Sequence, residues 1–153
     1  MTKKLTKAQQ KKLQRKQETE RINEQIRKQG IANACPDYME LIPALRHFSK
    51  NGCEADFVSY GQCPDELKDW VFDLTSRNMR ELYERTWGWK DTSKRMELFS
   101  DSSHYIIARV GETPVGFIHF RFEVEFKLLL LYVYEIQVEP EYQNKGIGRH
   151  LMQ

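Results

Sequence analysis

The sequence is poor in the residues from which metal centres and disulfide frameworks are built, with 3 cysteines and 4 histidines in 153 residues. Cys35, Cys53 and Cys63 are odd in number and lack Cys-x-x-Cys spacing, so neither a disulfide framework nor a zinc site is expected, and the thiols are read as reduced. His47, His104, His119 and His150 share no His-x-x-x-His spacing, so no metal is expected. No run approaches the roughly 20 apolar residues needed to cross a bilayer. The start Met1-Thr2-Lys3-Lys4 is not followed by the apolar stretch of a secretory signal, and no membrane partner is expected.

Acidic residues are scarce at the beginning of the chain. Up to Gly30 there are ten Lys or Arg and three Glu, a surplus of +7 that leaves −5 on the remainder of a chain whose net charge is +2. A basic leader on an acidic body suggests two jobs. From Lys3 to Lys28 the residues are good helix formers without Pro, which predicts a helix. Leu5, Ala8, Leu13, Ile22 and Ile26 give it only a sparse apolar stripe. A nuclear-import signal, a nucleic-acid-facing arm and a plainly solvated helix all fit that pattern. Residues 1–30 are therefore expected to form a basic helical extension, and residues 31–153 one domain.

Between Gly30 and Pro64 the spacing is irregular, with Pro36, Pro43, Gly52 and Gly61 breaking any long period. A short helix over Met39–Phe48 and an extended piece over Ala55–Tyr60 are predicted. Leu67, Trp70, Val71, Leu74, Met79, Leu82 and Tyr83 then follow a spacing that predicts a helix over Asp65–Tyr83. It ends near Trp87-Gly88-Trp89, where two large rings beside a glycine fit a core-sealing loop or a ligand wall.

From His104 the period changes to two. Tyr105–Val110 is predicted as a strand, Gly111–Pro114 as a turn and Val115–Glu125 as the return strand. Ile118, Phe120, Phe122, Val124 and Phe126 share its packing face; His119, Arg121, Glu123 and Glu125 share a face expected to be polar. Leu129–Val138 is a third strand whose apolar start places it inside the sheet. After Glu139-Pro140-Glu141-Tyr142 comes Gln143-Asn144-Lys145-Gly146-Ile147-Gly148, opening what reads as the first turn of a helix.

A strand, a short acidic loop and Gln-x-x-Gly-x-Gly opening a helix form an anion cradle. Helix N-termini offer unpaired N–H groups and partial positive charge, and glycine lets the backbone approach a pyrophosphate. The spacing fits neither a Walker loop nor the dinucleotide fingerprint. Gln143-x-x-Gly146-x-Gly148, preceded by an apolar strand and the Val115-Gly116-Phe117 hairpin, resembles the acetyl-coenzyme A motif of the GNAT superfamily. The resemblance implies that superfamily's α/β fold with a mixed sheet. It also implies that Ile136, Gln137 and Val138 pair with the pantetheine arm, and that Gln143, Asn144, Lys145, Gly146, Ile147 and Gly148 hold the phosphates.

Phe72-Asp73-Leu74-Thr75, Asn78-Met79, Tyr83-Glu84, Trp87-Gly88-Trp89-Lys90, His119-Phe120-Arg121-Phe122 and Tyr132-x-Tyr134-Glu135 are similar to the NatD family of histone N-terminal acetyltransferases. That resemblance implies transfer of acetyl from acetyl-CoA to the free α-amine of histones beginning Ser-Gly-Arg-Gly, in nucleus and cytoplasm, by a monomer when complete. The other readings are acetylation of another protein or a small amine, and a non-catalytic module binding nucleic acid or histone. An α-ammonium must lose a proton before attacking a thioester. Glu135 is expected to be the general base, directly or through water, with Tyr134 beside it. Tyr83, Trp87, Tyr132 and Tyr134 would wall the peptide channel, and Glu123 and Glu125 would pair with the peptide's arginine. Strict alternation puts Tyr134 and Glu135 on opposite faces, so a bulge is expected between Tyr132 and Ile136. A sheet of this superfamily continues beyond the helix begun at Gly146, and the chain is expected to stop short of the whole domain.

Overall fold

The computed structural model describes residues 6–153; what the sequence suggested for Lys3, Lys4 and Leu5 lies outside the described residues. The chain forms two compact units, Met1–Ala34 with Phe122–Leu131, and Cys35–Arg121 with Tyr132–Gln153.

In the first unit, helix α1 spans Lys7–Asn33, five residues further than the composition suggested. Thr6 starts it with a capping box: its hydroxyl accepts from the Gln9 amide, and the Gln9 side chain accepts from the Thr6 amide. None of its residues is buried, as the sparse stripe implied. Its C-terminal half is tied to the Phe122–Leu131 arm. Gln29 Nε2 donates to the Phe122 carbonyl at 2.6 Å, the Gln25 side chain accepts from the Leu129 amide at 3.0 Å, and Lys127 pairs with Glu18. The arm turns at Phe126 and Lys127, both with positive φ, the backbone of a tight two-residue hairpin.

The second unit is built on a sheet. Its strands are β1 (His47–Lys50), β2 (Cys53–Tyr60), β3 (His104–Val110), β4 (Thr113–Glu125) and β5 (Leu128–Val138), neighbours in chain order. The β1–β2, β2–β3 and β3–β4 pairs are antiparallel, and β4 and β5 run on into the arm of the first unit. Helix α2 (Asp65–Glu84) carries Asp65 and Glu66 in its first turn, where negative charge suits the helix dipole. It buries Leu67, Val71, Leu74 and Thr75, one face at helical spacing. With Leu98 of α3 (Asp91–Leu98) these cover Tyr105, Ile107 and Phe117 of the sheet and make the core. On the other face, α4 (Ile147–Leu151) sets His150 against the rings of Phe48 and Phe57, at 5.4 and 4.5 Å between centroids.

Four expectations are corrected here. Among the described residues β5 lies at the edge of the sheet and not inside it, and its apolar start leaves Leu128 and Leu131 exposed. The helix over Met39–Phe48 is instead two short 3₁₀ turns, Tyr38–Glu40 and Pro43–Leu45, followed by β1. Pro43 interrupts a continuous helix, and Asn51-Gly52, at φ of 55° and 69°, makes a β1–β2 hairpin turn. The supposed polar face of β4 is covered by helices, so His119 is fully buried and Arg121 partly so. Leu82 of α2 is exposed, because the last turns run past the sheet.

Candidate functional site

On β5 the side chains of Tyr132 and Tyr134 point to the helix-bearing face, where their rings meet at 4.9 Å. Tyr134 also stacks on His119 at 5.3 Å and receives the Arg121 guanidinium at 4.2 Å. Glu135 and Gln137 point to the same face, Glu135 toward Lys94 of α3 and Gln137 toward Asn78 of α2. Two consecutive residues cannot share a face in a regular strand. The alternation therefore slips once between Tyr134 and Glu135, inside the interval expected from sequence. Beyond the slip the Glu139 amide donates to the Val115 carbonyl at 2.8 Å.

Glu135 is 6% exposed and Lys94 also 6%. The carboxylate accepts from Gln137 Nε2 at 2.6 Å through one oxygen and lies 2.8 Å from Lys94 Nζ through the other. Lys94 also reaches Glu97 at 2.8 Å and lies 5.0 Å from the centre of the Tyr83 ring. Burial alone would lower the pKa of Lys94, but the hydrogen bonds and charges of Glu135 and Glu97 outweigh it and raise the pKa above its ordinary value. A charge so enclosed is stable only with its partners in place. His119, between the rings of Tyr105 and Tyr134, meets Ser103 Oγ at 2.9 Å. Burial first, then the positive charges of Arg121 and Lys94, lower its pKa to about 3, so it is neutral at ordinary pH.

At the far end of β5 the backbone is fastened from several sides. Asn78 Nδ2 donates to Gln137 Oε1 at 2.9 Å and to the Val138 carbonyl at 3.2 Å; Gln143 Nε2 donates to the same carbonyl at 3.0 Å. Glu139 accepts from Trp70 Nε1 at 2.9 Å and from Arg77 at 3.0 Å. The following loop turns through Asn144 at φ 60° and Gly146 at φ 104°, and Gly146 is the N-cap of α4 without a capping side chain. The first amides of that helix have no intrahelical partner. Asn51 of the β1–β2 turn donates to the Lys145 carbonyl at 2.8 Å, holding the loop in place. Ile147 is buried beneath the loop, and Lys145 and Arg149 bring positive charge to it. Flexible glycine, uncapped amides and cations suit a diphosphate.

The structure thus gathers Glu135 and Tyr83 around Lys94, sets Tyr132 beside Tyr134 on the same strand, and places Ile136, Gln137 and Val138 just before the Gln143–Gly148 loop. Trp87 is 84% exposed, with its ring 5.8 Å from Tyr83. It sits where α2 stops, because the Gly88 amide turns back to the Tyr83 carbonyl at 2.7 Å. Glu123 and Glu125 belong to the arm of the first unit, Glu123 half-buried and Glu125 exposed. Sequence reasoning missed Lys94, Asn78 and Asn51. Lys94 lies in a helix with too few apolar residues to show a period; Asn51 was legible as the Asn-Gly hairpin signal. Among the described residues no group of three or more His, Cys, Asp or Glu could hold a metal, and no helix is long and apolar enough to cross a membrane.

A model of the acetyltransferase (GNAT) family matches residues 71–153. Among solved structures, the chain is similar to a possible acetyltransferase from Clostridium difficile 630, with 16% identity, a TM-score of 0.47 and 63% of this chain aligned to 66% of that one. A ribosomal-protein-alanine N-acetyltransferase from Brucella melitensis shares 21% identity at a TM-score of 0.47, over 64% of this chain and 66% of its own. An aminoglycoside acetyltransferase from an uncultured soil metagenomic sample shares 18% at a TM-score of 0.42, over 64% and 66%. The chain spans just under two thirds of the length of each of these structures. At these identities the likenesses say nothing about substrate.

Proposed function

Since the chain belongs to the acetyltransferase (GNAT) family, we propose that the protein transfers acetyl from acetyl-CoA to the N-terminal α-amine of a peptide, its substrate being a histone beginning Ser-Gly-Arg-Gly. The observation that carries this reading is the slip in β5 that turns both Tyr134 and Glu135 to one face, directly before the backbone of Ile136–Val138 and the glycine loop. A bulge at such a place re-aims side chains toward a reacting centre.

In the proposed reaction, the loop amides at Gly146–Gly148, with Lys145, hold the coenzyme's diphosphate, and the backbone of Ile136–Val138, in the last strand of the sheet, aligns its arm. The negative carboxylate of Glu135 attracts the incoming α-ammonium and takes its proton, directly or through water. The freed nitrogen forms a bond to the thioester carbonyl carbon; the C–S bond then breaks, the sulfur leaves with the electron pair, and it takes up the second proton that the acylated nitrogen releases, giving a neutral amide and a free thiol. Lys94 and Gln137 fix the carboxylate's orientation, so little reorganisation is needed during the step. Tyr83, Tyr132 and Tyr134 offer an aromatic wall to a narrow peptide, with Trp87 at its exposed end. Glu123 and Glu125 are the acids proposed for the peptide's arginine. A histone substrate assigns the work to nucleus and cytoplasm.

The test incubates the protein with labelled acetyl-CoA and a Ser-Gly-Arg-Gly peptide, free or blocked at its N-terminus. Label is expected on the free α-amine and absent from the blocked peptide. Label on a lysine side chain, or on small amines in preference to the peptide, would overturn the substrate assignment.

A further inference from the structure

The N-terminal half of α1 plays no part in the site described above. From Lys7 to Gln17 it carries Lys7, Lys11, Lys12, Arg15 and Lys16 and no acid, and every one of these residues is exposed. At about 100° per residue, the five cations fall within one arc of about 180°. Gln9, Gln10, Leu13, Gln14 and Gln17 take the other half of the wheel. Of these five cations only Lys16 forms an ion pair with an acid among the described residues, Glu20 at 3.8 Å.

This placement is unfavourable for a helix left in water. Lys7, Lys11 and Arg15 repel at successive i,i+4 steps, as do Lys12 and Lys16, and Lys7 sits in the first turn, where the helix dipole is already positive. A polyanion lying along the arc removes that repulsion. Three observations narrow its chemistry. The cationic arc holds no apolar residue larger than Ala8, so it lacks the inserting face that a membrane-surface helix needs. Lys7, Lys11 and Arg15, and beside them Lys12 and Lys16, form two slanting rows with about 6 Å of axial rise per step, which suits a regularly repeating anion. Glutamines border it on both sides, and amides are common phosphate and sugar ligands.

We propose that the Lys7–Lys16 face of α1 docks on the phosphate backbone of a nucleic acid without reading its sequence. The proposal is independent of the acetyl-transfer reading, because it uses no residue of that site.

The full chain is titrated against a labelled random-sequence DNA duplex by fluorescence anisotropy over a range of salt. Five phosphate contacts give a slope of log affinity on log salt between about −4 and −5. In K11Q/R15Q the slope becomes shallower by about 2. K50Q/K90Q, which removes two exposed cations elsewhere, leaves the slope unchanged. Circular dichroism of K11Q/R15Q keeps the wild-type helix content, since both residues are solvent-facing. The proposal is overturned if the duplex is not bound at low salt, or if K11Q/R15Q and K50Q/K90Q behave alike. Polyglutamate or phosphatidylserine vesicles binding as tightly as the duplex would overturn it too, by assigning the face to an acidic protein or a lipid surface.

Discussion

Lys94 shows how one side chain can make a site depend on tertiary structure. Its ammonium is enclosed with Glu135, and removing Lys94 leaves the Glu135 carboxylate buried without a counter-charge. Lys94→Met is expected to lose about 3–5 kcal/mol of stability, read from the urea midpoint. Adding Glu135→Gln to it is expected to recover most of that loss, because the unpaired charge is gone. A double variant no more stable than Lys94→Met would refute the coupling. His119 gives a prediction in pH. Its folded form stays neutral down to about 3, whereas an unfolded histidine takes a proton near 6.5. Below about 6.5 the unfolded chain binds the extra proton, so stability falls with pH across that window, by at most about 1.4 kcal/mol per unit, and falls no further from this source below about 3. His119→Gln, which keeps a polar group toward Ser103, should flatten that part of the stability–pH curve relative to wild type.

At the scale of elements, the junction of β4, β5 and the glycine loop is where the proposed reaction would hold its coenzyme. A Cβ on Gly116 would lie 3.0 Å from the Gln137 carbonyl oxygen and 3.3 Å from Val138 Cγ2, so Gly116→Ala must push β5 away. The expected cost is about 1–3 kcal/mol, with weaker coenzyme A binding by calorimetry. At Gly146 the φ of 104° is strained for any other residue, and a Cβ would press on the Phe48 ring at 3.1 Å. Gly146→Ala is therefore expected to weaken coenzyme A binding at least tenfold, about 1.4 kcal/mol. Unchanged affinity in Gly146→Ala would remove this loop from the site. These elements were legible because alternation, turn residues and the glycine spacing all agree. α3 was not, since Asp91–Leu98 buries only Lys94 and Leu98 and so has no apolar period. Nor was β1, whose His47–Lys50 is exposed except at Phe48.

Over the whole molecule, stability should be unevenly spread. The N-terminal half of α1 buries nothing and carries like charges on one arc, whereas β3 is covered on both faces. Isolated helical segments of this kind are marginal in water. Hydrogen exchange followed by mass spectrometry is expected to label the amides over Lys7–Gln17 within the earliest times and those of β3 orders of magnitude later. Equal protection of the two would show that the helix is held by contacts along its length. The separation of charge along the chain, +7 before Gly30 and −5 after it, follows the same division between an open basic helix and a packed body.

Local rules written in the chain determined the helices at Lys7–Asn33 and Asp65–Glu84, the β3–β4 hairpin, the apolar β5 and the glycine loop after it. In each of these, neighbouring residues along the chain carry the signal. Alternation led to a slip beside Glu135 only once the family resemblance placed both Tyr134 and Glu135 at the site, because two adjacent side chains cannot otherwise share one face. Only the tertiary structure decided that this carboxylate is locked by Lys94, that His119 is buried and neutral, and that Asn51 and Asn78 hold the loop and strand from distant points of the sequence. The pairings of Lys94, Asn78 and Asn51 join residues 41 to 94 positions apart. Their energy comes from excluding water around opposite charges and polar groups, and no pattern along a single segment can encode which distant group completes the pair.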